Sequence, residues 1–252
     1  MLSGELIAAS LRSNMLGFGT LIRVFGIALF LTASAGAQSI AALSEFADWI
    51  GSPVLSPDGK TLAFEWEKPD LSWKIYLRPF RGGEAVDFVG RDDRDGSPGD
   101  PRWSPDGTEI AFSRFYCAQC SHKLFVKNYA HGGERPLGDV CGGASWTPRG
   151  RFLIAAVPVG KNSDECGIAL IPVAGSRRIM LVRKGEMAAV SPDGRRLAFA
   201  DDNQVKLVSL DENFQVAGVP AILEKEPHGI ASITWSPDSR NLLYQVWGDG
   251  SY

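Results

Sequence analysis

The residues that invite a chemical reading begin with four cysteines and one histidine. "CAQCSH" places Cys117, Cys120 and His122 within six residues, and Cys141 and Cys166 follow. Two thiolates two residues apart with a nearby imidazole are plausible ligands for a zinc ion. The same cysteines in an oxidising compartment form disulfides instead, and an even count in nearby loops favours that outcome. Pairing Cys117 with Cys120 and Cys141 with Cys166 is preferred among the three connectivities. Covalent haem attachment is excluded because Ser121 separates Cys120 from His122. No cofactor or metal is therefore expected.

Two other acidic patterns carry less. "RDDRDGSPGD", Arg91 to Asp100, places Asp93, Asp95 and Gly96 as in a calcium loop, but the terminal glutamate of the 12-residue pattern is missing. It reads as a solvated loop. Asp58, Asp106, Asp193 and Asp238 recur in a turn motif, where an aspartate bonds its own backbone and needs no ligand. There is no G-x-S-x-G elbow and no H-E-x-x-H, and the histidines number three: His122, His131 and His228. No triad can be assembled. The chain reads as non-enzymatic.

What positions these residues is a repeat. "LSPDG", "WSPDG", "WTPRG", "VSPDG" and "WSPDS" place their serine or threonine at 56, 104, 147, 191 and 236, in steps of 48, 43, 44 and 45. Pro57, Pro105, Pro148, Pro192 and Pro237 preset φ, and Gly59, Gly107, Gly150 and Gly194 accept positive φ. The motif is that of a type I turn followed by a left-handed residue, joining two antiparallel strands. An apolar residue such as Trp103, Trp146 or Trp235 precedes several copies, suited to packing between layers, and a run such as "EIAFSR" follows. Further strands are read at "KIYLRPF", "KLFVKNY", "GIALIPV" and "QVKLVSL", and after Gly-Gly turns at "GGEAVDFV" and "GGERPLG". A period of about 45 residues with four short strands per unit predicts an all-β propeller of four-stranded antiparallel blades.

"SPDG" with a following "IAF", "IYL" and "GGE" resembles the repeat of TolB-like β-propellers, over nearly all of Ile50 to Tyr252. The resemblance implies a six-bladed ring acting as a periplasmic or extracytoplasmic binding and scaffolding module. Five turns, with a last unit running only to "WGDGSY", imply about five blades and truncation in the fifth. The opening "SPVLSPDGKTLAF" also resembles the propeller that precedes the hydrolase domain in exported prolyl oligopeptidase-family peptidases. The alternative reading is such a propeller without its catalytic domain.

The address is read from residues 1–37. Arg12 and Arg23 precede the apolar run Val24 to Thr32, which ends in Ala35-Gly36-Ala37, an export signal with cleavage expected after Ala37. A start at Met15 leaves a signal of ordinary length. The alternative is a membrane anchor from Leu16 to Ala37, which would bring membrane contact. Residues 38–252 then form the exported propeller. A net charge of −3 without a basic cluster disfavours nucleic acid, leaving a protein or peptide as the expected partner.

Overall fold

The computed structural model describes residues 7–13, 50–67, 73–90, 96–116, 121–160, 165–175 and 177–247, and the described elements are all β-strands. The first is β1 (Ile7–Ser13). Four four-stranded sheets follow in chain order, each built from consecutive strands. The first contains β2 (Ile50–Leu55), β3 (Thr61–Glu67), β4 (Trp73–Pro79) and β5 (Val86–Val89). The second contains β6 (Ser97–Trp103), β7 (Glu109–Tyr116), β8 (Ser121–Asn128) and β9 (Glu134–Val140). The third contains β10 (Ala144–Trp146), β11 (Phe152–Pro158), β12 (Cys166–Pro172) and β13 (Ile179–Val182). The fourth contains β14 (Glu186–Val190), β15 (Arg196–Asp201), β16 (Gln204–Leu210) and β17 (Val216–Lys225). A fifth sheet holds β18 (Ile230–Trp235) and β19 (Asn241–Trp247), with β1 running parallel to β19 from Ile7 opposite Asn241 to Ser13 opposite Trp247.

The strands fall where the repeat places them, with two adjustments. "RDDRDGSPGD" is not loop throughout, because Ser97 to Asp100 already belong to β6; a bulge between Gly99 and Arg102 lets this Gly- and Pro-containing stretch pair with β7. Cys166, expected in a loop, opens β12, and its carbonyl accepts the Gly185 N–H at 2.9 Å. Ser39 to Trp49, Asp93, Asp95, Cys117, Cys120 and the residues after Trp247 lie outside the described residues. So does the expected leader, apart from the backbone of Ile7–Ser13.

Each hairpin turn is a closed hydrogen-bond circuit. In the first, Gly59 N–H donates to the Ser56 carbonyl at 2.8 Å, closing a β-turn, and Gly59 sits at φ +71°. The Ser56 hydroxyl donates to Asp58 at 2.6 Å while accepting the Thr61 N–H at 2.9 Å. Asp58 also accepts the Lys60 N–H at 3.1 Å. Asp106 and Asp238 repeat this with Ser104 and Ser236 at 2.6 and 2.5 Å, and Asp193 with Ser191 at 2.5 Å. In the third turn Arg149 replaces the aspartate, and the Thr147 hydroxyl donates to the Phe152 carbonyl at 3.0 Å instead. The turn aspartates bond within their own turns.

The chain divides into two compact units: one spans Thr32–Leu153 and Pro172–Ser176, the other Met1–Leu31, Ile154–Ile171 and Arg177–Tyr252. In the former, the core lies between successive sheets. Ala63, Leu77, Trp103 and Ile110 pack together with Val54 and Phe88, and Ile75, Val89 and Phe112 pack with Phe125. Turns of neighbouring sheets also meet: a Cβ placed on Gly107 would lie 3.6 Å from Pro57 Cδ, and one on Gly150 would lie 3.7 Å from Pro105 Cδ. In the other unit Ala198, Val205, Ile230, Leu242, Tyr244 and Val246 form the core between the fourth and fifth sheets. There Ser239 holds the glycine position at φ +61°, and its hydroxyl accepts the Asp193 N–H at 3.0 Å.

Candidate functional site

In the first, second and fourth sheets the first strand departs from regular pairing four residues ahead of its turn. Register shifts interrupt β2 between Gly51 and Val54, β6 between Gly99 and Arg102, and β14 between Glu186 and Ala189. At these points Ser52, Asp100 and Met187 take φ of +46°, +53° and +50°. Left-handed backbone at a residue with a side chain costs about 1–2 kcal/mol, so surrounding contacts must hold it.

In the unit carrying the first two sheets, the contact that holds it is Glu65. This residue lies on β3, only 7% exposed, and is the one buried carboxylate among the described residues. Its Oε1 accepts the Asp100 N–H at 2.6 Å, across from one sheet to the next. The Ser52 hydroxyl donates to the same carboxylate. Gly99 leaves room for it, since a Cβ there would lie 3.3 Å from Oε1. One carboxylate thus grips both left-handed residues. Burial raises the Glu65 pKa above its ordinary 4.5; the hydrogen bonds from Ser52 and Asp100 N–H oppose this, the Asp100 carboxylate adds to it, and Arg102 pulls it down.

Beyond Asp100 stand Gly143, where a Cβ would lie 3.4 Å from Asp100 Cβ, and His122. The His122 ring packs on Phe115 with centroids 4.8 Å apart, and its buried Nδ1 has no hydrogen-bond partner among the described residues. Burial lowers the His122 pKa, and the negative charge of Asp100 partly restores it. A second polar centre is Arg114 of β7, 2% exposed, which donates twice to Glu134 at 2.6 Å, to the Gly90 carbonyl at 2.8 Å and to the Gly96 carbonyl at 2.9 Å. Gly96 of the acidic stretch thereby serves an arginine through its backbone.

Of the residues singled out in the sequence, Cys141 and Cys166 are each disulfide-bonded. Among the described residues, no group of three His, Cys, Asp or Glu side chains is placed to hold a metal. The sequence reasoning missed Glu65 and Arg114. A signal for the first existed: nine residues after each turn serine or threonine the copies read Glu65, Ser113, Ala156, Ala200 and Gln245, so a carboxylate stands in a slot filled elsewhere by small or neutral residues.

No protein-family profile matches the chain. In structure it is similar to TolB from Acinetobacter baumannii, with a TM-score of 0.60 and 19% identity over 76% of this chain and 47% of that one. The fold is that of the TolB-like β-propellers. A chain of the nidogen/laminin complex is similarly built, with a TM-score of 0.61 and 16% identity over 80% of this chain and 73% of that one. At these identities the likeness is one of fold. In sequence this TolB-like propeller is 28% identical over 123 residues to the uncharacterized peptidase YuxL of Bacillus subtilis (strain 168), a match covering 46% of the chain and 18% of that relative. The chain thus spans about half of the TolB chain and matches under a fifth of the peptidase.

Proposed function

We propose that this chain is an exported, non-enzymatic propeller module that binds a protein or peptide partner. The observation that carries the reading is how its reactive side chains are used. The turn aspartates are occupied by turn hydroxyls and amides, Arg114 by Glu134 and two carbonyls, and Glu65 by the backbone it holds. Such a scaffold offers surface and loops for recognition rather than a preassembled reaction centre. The nidogen/laminin complex, in which a chain of this fold is part of a protein assembly, supports a protein partner. Disulfide-bonded Cys141 and Cys166 support an oxidising compartment and hence export.

The test is expression of the full chain in its own host with a photo-crosslinking residue placed in turn at positions 92, 118 and 162. Export predicts a mature N-terminus at Gln38. A binding module predicts crosslinks to one discrete protein that are lost on adding an excess of uncrosslinked chain. An unprocessed cytoplasmic product without crosslinks would refute the reading.

The match to a peptidase favours one second reading, the propeller half of a prolyl oligopeptidase-like enzyme. Sequencing the genomic DNA beyond the Tyr252 codon decides between them: an in-frame G-x-S-x-G elbow favours the peptidase, and further blades with a stop favour the binding module.

A further inference from the structure

The third sheet ends in β13, which pairs with β12 on one side; no described strand pairs with its other edge. Each four-stranded sheet has such an end strand, and β13 differs from the rest in where its charges stand. β5 carries Asp87, β9 carries Glu134, Arg135 and Asp139, and β17 carries Glu224 and Lys225, all within the strand. β13 carries none: Ile179, Met180, Leu181 and Val182 are apolar, and Ile179 and Met180 are 44% and 40% exposed. Its cations stand immediately outside it, Arg177 and Arg178 before and Arg183 and Lys184 after, all four exposed. In a chain of net charge −3 this is a local reversal of sign.

Charges within an edge strand keep other strands away. Charges that flank an apolar edge leave its N–H and C=O groups approachable and select the incoming strand by sign. Lys184 is engaged by Asp201 and Asp202 at 3.1 and 2.6 Å, and Arg178 donates to the Pro158 carbonyl at 3.4 Å. Neither Arg177 nor Arg183 pairs with a carboxylate among the described residues. They stand at the two ends of the strand, about 20 Å apart along an extended chain.

We propose that β13 is the docking edge for an extended acidic peptide segment, which adds to the third sheet as a fifth strand. Its amides bond the open edge, its carboxylates meet Arg177 and Arg183, and its apolar side chains cover Ile179 and Met180. This rests on the binding-module reading and gives that reading a place and a chemistry.

The probe is a fluorescein-labelled heptapeptide of alternating aspartate and valine, titrated against the full chain and followed by fluorescence anisotropy. The wild type should bind it saturably, more weakly as salt rises, and should not bind the same peptide with lysine in place of aspartate. Arg177→Glu with Arg183→Glu changes two exposed side chains, and should weaken binding about tenfold because two attractions become repulsions. Arg195→Glu with Arg240→Glu makes the same change in net charge on two exposed turn arginines, and should shift it by less than about twofold. A peptide N-methylated along its backbone keeps every charge but donates no strand hydrogen bond, and should fail to bind.

No binding of the acidic peptide, equal losses in the two double variants, or undiminished binding of the N-methylated peptide would each overturn the proposal. So would binding of anionic phospholipid vesicles or single-stranded DNA, rather than the peptide, through Arg177 and Arg183. Crosslinks to one discrete protein from positions 92, 118 and 162 alongside any of these failures would leave the binding reading standing and remove β13 as its site.

Discussion

Trp146 donates its indole N–H to the carbonyl of Arg102 at 2.9 Å, reaching from the start of one hairpin turn to the strand before the preceding one. Trp235 does the same to Ala189 at 3.0 Å. Trp103, at the corresponding place, is 8% exposed and packs edge-on against Tyr129 at 5.0 Å, but its buried Nε1 has no partner among the described residues. The tryptophans expected to be fillers are thus, in two of three cases, also fasteners.

Trp146→Phe should therefore destabilise the protein more than Trp103→Phe, by about 1 kcal/mol, the worth of one hydrogen bond whose carbonyl partner is left behind. Urea denaturation of the two variants side by side checks the order. Equal losses would mean that ring volume alone matters.

Arg114 is buried to 2% and its guanidinium lies 5.5 and 5.7 Å from the rings of Phe112 and Phe125, so its charge depends on Glu134, which is 27% exposed. Glu134→Gln should cost about 3 kcal/mol, because it strips the counter-charge from a buried cation. Arg114→Met, which removes the cation and retains an apolar stem, should cost less. Thermal unfolding of both variants gives the comparison.

Asp58, Asp106 and Asp238 have their pKa values held below the ordinary 3.8, first by the hydroxyls of Ser56, Ser104 and Ser236 and next by the N–H groups of Lys60, Thr108 and Arg240. A lowered folded value means the contribution is present above 3.8 and lost as pH falls through the folded value. Stability should decline from about pH 4 downwards, and Asp106→Asn should shallow that decline. Denaturation midpoints between pH 5 and pH 2 provide the measurement.

Ser239 combines left-handed strain with a useful hydroxyl. Ser239→Ala keeps φ +61° but loses the acceptor for Asp193 N–H, and should cost about 1 kcal/mol. Ser239→Gly loses the same bond while relieving strain of similar size, so its net effect should be near zero. A glycine variant as unstable as the alanine one would show that strain is not released there.

The sequence predicts that Cys141 pairs with Cys166. Peptide mapping of the unreduced protein should recover that linkage, and reduction should lower stability by about 2–4 kcal/mol. Recovery of Cys141 joined to Cys117 or Cys120 would replace the pairing.

Much of this was legible because turn chemistry is local. Proline, aspartate and glycine at fixed offsets announced each hairpin, and the runs from Lys74, Lys123, Gly167 and Gln204 became β4, β8, β12 and β16. Glu65 showed in the repeat only as a carboxylate where other copies carry small or neutral residues; its role was not legible, because its partner Asp100 lies 35 residues away. Arg114 is hidden for the same reason, with Glu134 20 residues on. Of the left-handed Ser52, Asp100 and Met187, only the aspartate is a type that favours positive φ, so the bulges they occupy left little compositional trace.

The stacking of one turn on the next acts as a gauge. Pro57 meets Gly107, Pro105 meets Gly150, and Asp193 meets Ser239, so an insertion inside any turn would misalign two sheets together. The turns themselves are uniform in length, and the unequal steps of 48, 43, 44 and 45 residues place the length variation between them. Length variation in this repeat is therefore tolerated between the turns rather than within them.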